Sequence, residues 1–133
     1  MSPRARLLEH AAPVLYWLML VVALVILLRG HHHPGGGFIG GLVAVAASAQ
    51  LALILGVEAA RRRLPIAPER LAALGVGLAL LAGVPALLAG EAFLDHQRLG
   101  PLNTVLLFDL GVFLAVWGAL NGYVQALLEA PPS

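Results

Sequence analysis

The stretch AAPVLYWLMLVVALVILL, residues 11–28, contains no charged residue. A helix rises about 1.5 Å per residue and needs about 20 residues to cross the hydrocarbon core of a bilayer, so this run is long enough to span it. Three further apolar runs follow, at residues 38–57, 71–89 and 102–128, separated by short polar or Pro/Gly-rich breaks. The sequence therefore predicts an all-α integral membrane protein with four transmembrane helices in a single membrane domain, residues 1–133.

The composition agrees with this prediction and excludes several other classes of protein. Of the 133 residues 60% are hydrophobic and 11% are charged, and the mean hydropathy is +0.91. Soluble domains have about a quarter of their residues charged. A net charge of +1 without lysine offers no basic surface for nucleic acid. The absence of cysteine excludes disulfides and thiolate chemistry. We expect the lipid bilayer, and no nucleic acid, as a partner.

The first run is preceded by Arg4 and Arg6, as in a secretory signal. However, the run is longer than a typical signal core, and a His-Pro-Gly segment follows it in place of a small-residue cleavage site. Three more apolar runs come after it. We therefore predict an uncleaved membrane anchor.

Arginines in the loops predict the orientation. With four spans, the side that holds both termini and the middle loop carries six arginines, and the other side carries only Arg29 and Arg98. Positive residues are enriched in cytoplasmic loops, so both termini are expected in the cytoplasm. Arg61, Arg62 and Arg63 could also bind lipid or a partner, but three arginines at a membrane boundary are most often a topology signal.

The segment RGHHHPGGGFIGG, residues 29–41, joins the first two runs. Pro34 cannot continue a helix and disfavours helix at His33. Gly35, Gly36 and Gly37 can adopt positive φ or let another backbone approach closely. The segment therefore predicts a tight, non-helical re-entry into the second span.

Known binding motifs fit this segment poorly. Gly35-x-Gly37-x-x-Gly40 has the spacing of a dinucleotide fingerprint, but no strand precedes it and no βαβ unit is possible. No Gly-Lys-Ser/Thr follows, which excludes a phosphate loop. Adjacent histidines such as His31 to His33 rarely surround one metal ion, so structural or weakly pH-responsive loop histidines are the preferred interpretation. The sequence predicts neither a cofactor nor a metal.

Small residues recur at helical spacing in two of the runs. Helices in membranes associate through such stripes, because lipid is as apolar as their side chains and the hydrophobic effect does not drive them together. The stripe of the second run consists of Gly37, Gly41, Ala44 and Ser48, with Gly36 and Gly40 forming a further pair. The stripe of the fourth run consists of Gly111, Ala115, Gly118 and Gly122. Whether these stripes meet each other or another subunit stays open.

Two polar side chains inside the runs are candidates for an ion path. Gln50 lies about 18 Å along its helix from Phe38, near the middle of the membrane, where pairing of helices is the simpler role for its amide. Asp109 lies roughly 8 to 10 Å into the fourth run, where a charge is costly unless it is paired, hydrated or protonated. It is also expected roughly opposite the Gly111/Gly118 stripe, which predicts protein on two sides of this helix. A functional and a structural role for Asp109 remain equally open.

Two stretches carry a family resemblance. Arg29-Gly30-His31 followed by PGGGFIGGLV at 34–43, and LFDLGVFL at 107–114 followed by Gly118, resemble the signature stretches of the B subunit of Mrp-type (Mnh-type) cation/proton antiporters. The resemblance extends over nearly the whole chain. It implies a membrane subunit in a hetero-oligomeric complex of the cell (inner) membrane, which exchanges Na⁺ for H⁺ and whose larger subunits resemble those of respiratory complex I. It also implies that this chain is not an enzyme.

Three alternatives remain. A related module occurs in energy-converting hydrogenases and similar complex I-related assemblies, and the motifs do not separate these contexts. A stand-alone homodimeric exporter usually has a buried acid in an early span, and the first two runs contain none. In a purely structural scaffold, polar residues such as Gln50 would serve only to hold helices together.

Overall fold

The computed structural model describes residues 2–29, 36–88 and 102–129, and their side chains except at 83–88 and 102–105. All regular structure in these ranges is helical, which confirms the predicted all-α class for the described residues. The helices are α1 (Pro3–Arg29), α2 (Gly36–Leu55), α3 (Val57–Arg62), α4 (Pro68–Leu88) and α5 (Leu102–Glu129).

Three of the described helical segments are long and apolar enough to cross a membrane: Pro3–Arg29, Gly36–Leu55 and Leu106–Glu129. They correspond to the first, second and fourth predicted spans. The third predicted span, 71–89, corresponds to α4, a helix of 21 residues.

Helix α1 begins eight residues before the apolar run that it contains. Ser2 starts it, because the Ser2 Oγ accepts a hydrogen bond from the Ala5 N–H at 3.1 Å, and Pro3 occupies the first helical position. Serine at the cap and proline just after it are both favoured at a helix start. The polar residues before the run thus continue the same helix beyond the apolar part.

The second span differs from the prediction at both of its ends. Gly36 and Gly37 are the first two residues of α2, so the prediction of a non-helical segment through these glycines was wrong. At the other end α2 stops at Leu55, because Gly56 adopts φ 102°, which only glycine tolerates easily. The short helix α3, which the sequence pattern did not predict, follows at once.

The helices pack in the order α1, α2, α5, α4, so that α5 lies between α2 and α4. This confirms the prediction of protein on two sides of α5. Gln50 contacts Ala12 and Gly40 faces Ala23, so α1 and α2 are antiparallel. Helix α5 is parallel to α2, since Gly37 contacts Asp109 and Gly41 contacts Val116. It is antiparallel to α4. The start of α1, the α2–α4 connection and the end of α5 therefore lie at the same end of the bundle.

Two clusters of buried residues form the core, and alanine is common in both. The first, between α1, α2, α4 and α5, consists of Ala23, Leu27, Ala44, Leu64, Leu71, Phe113 and Trp117. The second, between α1, α2 and α3, consists of Ala12, Tyr16, Ala47, Leu51, Ala52 and Ala60. Small side chains at these crossings let the helices approach closely.

Candidate functional site

Asp109 lies where α2 and α5 cross. A Cβ atom added to Gly37 would overlap the main-chain oxygen of Asp109, so the two backbones are in direct contact there. One turn further on, a Cβ atom on Gly41 would lie 2.8 Å from the Val116 Cβ and 3.1 Å from the Phe113 oxygen. Asp109 itself is half-buried, seven residues and about 10 Å into α5. The glycines of α2 thus fix the backbone that carries this carboxylate.

Gly40 extends the same contact to α1. A Cβ atom there would lie 2.8 Å from the Ala23 oxygen and 3.1 Å from the Cδ2 atom of Phe113. Gly36, Gly37, Gly40 and Gly41 are all buried. Phe38, on the same helix, is 49% exposed and points away from these contacts.

The glycines of α5 meet α4, not α2. A Cβ atom on Gly111 would lie 2.5 Å from the Ala79 nitrogen and 2.7 Å from the Gly75 oxygen. A Cβ atom on Gly118 would lie 2.7 Å from the Pro68 oxygen, and one on Gly122 would lie 3.2 Å from the Pro68 Cβ. The two small-residue stripes therefore pack within this chain against different partners: the α2 stripe contacts α5, and the α5 stripe contacts α4.

Between Asp109 and the end of the bundle that contains Arg63, a chain of hydrogen bonds links three helices. The Trp117 indole N–H donates to the Ser48 Oγ at 3.1 Å. The Ser48 side chain is hydrogen-bonded to Tyr16, and the Tyr16 hydroxyl donates to the Arg63 carbonyl oxygen at 3.3 Å. An indole only donates, so Ser48 accepts from Trp117. The single Tyr16 proton goes to the Arg63 oxygen, so Ser48 is the donor in its bond to Tyr16. All three side chains are buried, and the network ties α1, α2 and α5 to the turn after α3.

Gln50 lies away from Asp109. Its Nε2 donates to the Ala12 carbonyl oxygen at 3.1 Å, while its buried Oε1 has no hydrogen-bond partner among the described residues. Along α2 it is thirteen residues, or about 20 Å, from Gly37, which contacts Asp109. The structure therefore does not bring the two candidate ion-path residues together.

More polar side chains follow on α5 at four-residue intervals. The Gln125 Nε2 donates to the Asn121 Oδ1 at 3.4 Å, and both residues are buried. At the end of the helix, Glu129 forms an ion pair with Arg61, which also lies 3.8 Å from Glu58. We call Asn121, Gln125 and Glu129 the polar ridge of α5.

Neither this ridge nor the buried network was identified from the sequence. The i, i+4 spacing of Trp117, Asn121, Gln125 and Glu129 was the available signal, since residues four apart are neighbours on one side of a helix. Of the predicted motif of the first loop, His31, Pro34 and Gly35 lie outside the described residues.

Long apolar helices whose backbones touch at glycine and whose polar side chains pair internally define a multi-pass membrane protein. Residues 7–122 match the family described as "Domain related to MnhB subunit of Na+/H+ antiporter". The chain is also 34% identical, over 101 residues, to the B subunit of the Na(+)/H(+) antiporter of Bacillus subtilis (strain 168), an alignment that covers 69% of this chain and 71% of the relative. The chain therefore belongs to the MnhB-related family of antiporter subunits.

Proposed function

We propose that this chain is a membrane subunit of a multi-subunit cation/proton antiporter that exchanges Na⁺ for H⁺. Membership of the MnhB-related family supports this role, as does the similarity to the B subunit of a Na(+)/H(+) antiporter. In this proposal the chain works together with other membrane subunits and catalyses no reaction of its own. Both stripes of small residues are used inside the chain, so the contacts to other subunits fall on other surfaces.

We further propose that the chain crosses the membrane four times as one domain, with both termini in the cytoplasm. The 21 residues of α4 correspond to about 31 Å of helix, enough to span the hydrocarbon core. Successive long helices point in opposite directions, as four consecutive crossings require. The arginine-rich end of the bundle, which contains Arg61 to Arg63, would face the cytoplasm.

Within the complex, we propose that Asp109 belongs to the ion path. The observation that supports this is its position: a half-buried carboxylate about 10 Å into a membrane helix, on a backbone held in contact with Gly37. A carboxylate at such a depth is retained at a considerable free-energy cost and is by default a functional candidate. Gln50, with its buried Oε1, is the second candidate.

The test replaces Asp109 by Asn within the whole complex. Asparagine has nearly the same shape but cannot take up and release a proton, so we expect Na⁺-dependent H⁺ exchange in membrane vesicles to fall at least tenfold. The amount of this chain that copurifies with the complex should stay the same. Glu58→Gln is the matched control, because Glu58 is an exposed carboxylate at the end of the bundle, and this variant should transport normally.

Two results would contradict the proposed role of Asp109. Normal transport by an assembled Asp109→Asn complex would remove the residue from the ion path. Loss of the chain from the complex would instead assign the carboxylate a role in holding helices together, as expected of a scaffold.

A further inference from the structure

A cavity of about 290 Å³ opens where α3, the start of α4 and the end of α5 meet. It lies at the arginine-rich end of the bundle, away from Asp109. A single water needs only about 10 to 15 Å³ of such space, so this cavity is large enough for several. Its lining consists of Arg61, Ala67, Pro68, Glu69, Gly122, Gln125, Ala126 and Glu129.

One polar residue of the cavity wall is buried. Gln125 lines it although only 2% of this residue is exposed, and its Nε2 donates to Asn121, which is 1% exposed. The Asn121 Nδ2 is buried and has no hydrogen-bond partner among the described residues. Buried amides of native proteins are nearly always hydrogen-bonded to protein or to ordered water. The cavity is lined by Gln125, the hydrogen-bond partner of Asn121, and is large enough to hold that water.

The charges of the lining favour cations over anions. The lining contains two carboxylates, Glu69 and Glu129, and one guanidinium, that of Arg61. Arg61 is ion-paired with Glu129 and with Glu58. Glu69 takes part in no ion pair among the described residues, so its negative charge is not compensated in the lining. The amide oxygens of glutamine and asparagine are in addition good partners for hard cations.

We propose that this cavity is an aqueous vestibule that admits hydrated monovalent cations to the polar ridge of α5. The ridge runs from Glu129 at the mouth to Asn121, eight residues and about 12 Å deeper. One turn beyond Asn121, Trp117 of the same helix is hydrogen-bonded to Ser48 of α2, and both of these residues are buried. That a cation entering the vestibule is then transported rests on the proposed function. The cavity and its lining belong to this chain whether or not that function holds.

The chain contains no cysteine, so single cysteines can be introduced and labelled without background from this protein. Gln125→Cys and Ala126→Cys are made in the whole complex and treated, in membrane vesicles with the arginine-rich end outside, with methanethiosulfonates that do not cross membranes. Ala126→Cys leaves the Gln125–Asn121 hydrogen bond intact. It therefore still tests access to the cavity if Gln125→Cys impairs folding. Both cysteines should react, because a thiol must be in water to form the reactive thiolate.

Two further cysteines serve as controls. Arg62→Cys, exposed on α3, should react readily and shows that the reagent reaches this end of the protein. Tyr123→Cys lies at nearly the same depth as Gln125 but on the outward surface of α5, where Tyr123 is 64% exposed, and should stay unlabelled in the bilayer. Unreactive Gln125→Cys and Ala126→Cys beside a reactive Arg62→Cys would overturn the vestibule.

The charge of the reagent tests the preference for cations. Ala126→Cys should react faster with a trimethylammonium reagent than with a sulfonate reagent at low ionic strength. Replacing Glu69 by Gln removes one negative charge from the lining. The rate with the trimethylammonium reagent should therefore fall, the rate with the sulfonate reagent should rise, and their ratio should fall several-fold at low ionic strength. A ratio that Glu69→Gln leaves unchanged would overturn the preference for cations. Because labelling requires no transport, these results are independent of those with Asp109→Asn.

Discussion

The two sides of α5 pack by different means. Towards α4 its glycines contact backbone directly, at Gly111 against Gly75 and Ala79 and at Gly118 against Pro68. Towards α2 and α1, glycines of α2 bring the helices together near Asp109, while further along Trp117 and Ser48 join them by a buried hydrogen bond. Among the residues whose side chains the structure describes, the α4 side is therefore held by close backbone packing, and the other side combines close packing with directed polar contacts.

The difference between these two interfaces suggests a division of roles. Glycine contacts gain dispersion energy from close approach but have no chemical selectivity. Polar side chains inside a membrane protein are costly unless paired, so they are retained where they fix a unique arrangement or take part in function. The two candidate ion-path residues, Asp109 and Gln50, lie outside the α4–α5 glycine contact, and the proposed vestibule borders only its end, at Pro68 and Gly122. We therefore expect substitutions in that contact to affect assembly, and those on the opposite side to affect activity as well.

The largest effect is expected for Gly75→Val. A Cβ atom at Gly75 would overlap the Ala115 nitrogen and lie 2.5 Å from the Gly111 oxygen, so backbone must move to admit it. Overpacking of this kind costs about 3 kcal/mol. The thermal unfolding midpoint of the detergent-solubilised complex should fall, and less of the chain should copurify with its partners.

Gly77 provides a matched control two residues away on the same helix. A Cβ atom at Gly77 meets nothing within 4 Å, so Gly77→Val should leave the midpoint nearly unchanged. If the two valine variants lost the same amount of stability, helix propensity and not backbone contact would explain the loss, and the distinction between the two sides of α5 would fail.

An intermediate effect is expected for Tyr16→Phe. The buried hydroxyl donates to the Arg63 carbonyl oxygen and is hydrogen-bonded to Ser48, so its removal leaves both partners with one bond fewer. Such a loss costs about 1 kcal/mol, and measured values inside membranes average somewhat less. Tyr123→Phe, on a 64% exposed tyrosine, should cost almost nothing.

A double-mutant cycle with Ser48→Ala tests whether the hydrogen-bonded chain acts as a unit. If it does, the losses from Tyr16→Phe and Ser48→Ala should be non-additive, with a coupling of about 1 kcal/mol between them. Strict additivity would show that Tyr16 acts through its bond to Arg63 alone, and the polar side would then be a set of separate contacts.

Much of the fold could be predicted from local signals. The apolar runs mark the long helices, because length and hydropathy alone decide whether a segment can span a bilayer. The exact ends depended on single residues: the Ser2 cap began α1 early, and the positive φ of Gly56 separated α2 from α3. The cap was readable in the sequence, whereas nothing local requires Gly56 to take that conformation, since glycine also occurs inside α2 and α4.

The pairing of helices was less predictable than their positions. The glycine stripes of α2 and α5 were visible, but a stripe shows that a helix packs closely and does not name its partner. Asp109 stood out because it is charged, whereas Asn121, Gln125 and Tyr16 were overlooked because neutral polar groups are common in membrane helices. All three are buried, which the sequence does not show. Tyr16 also bonds to Arg63, 47 residues away, just as Trp117 bonds to Ser48, 69 residues away, and such distant partners are set only by the packed fold.

The smallest effect is expected where the polar ridge reaches the end of the bundle. Glu129→Gln removes the ion pair between Glu129, whose side chain is 48% exposed, and Arg61, whose side chain is 42% exposed. Exposed pairs contribute about 0.5 kcal/mol, and salt screens them. The unfolding midpoint should therefore fall slightly at low NaCl and match the parent protein at 1 M, where the screening length is about 3 Å. Glu9→Gln, on a glutamate without an ion pair among the described residues, is the control. A larger loss that persists at 1 M NaCl would mean that Glu129 is withdrawn from water in the assembled complex, and that the buried network of the polar side extends to the end of α5.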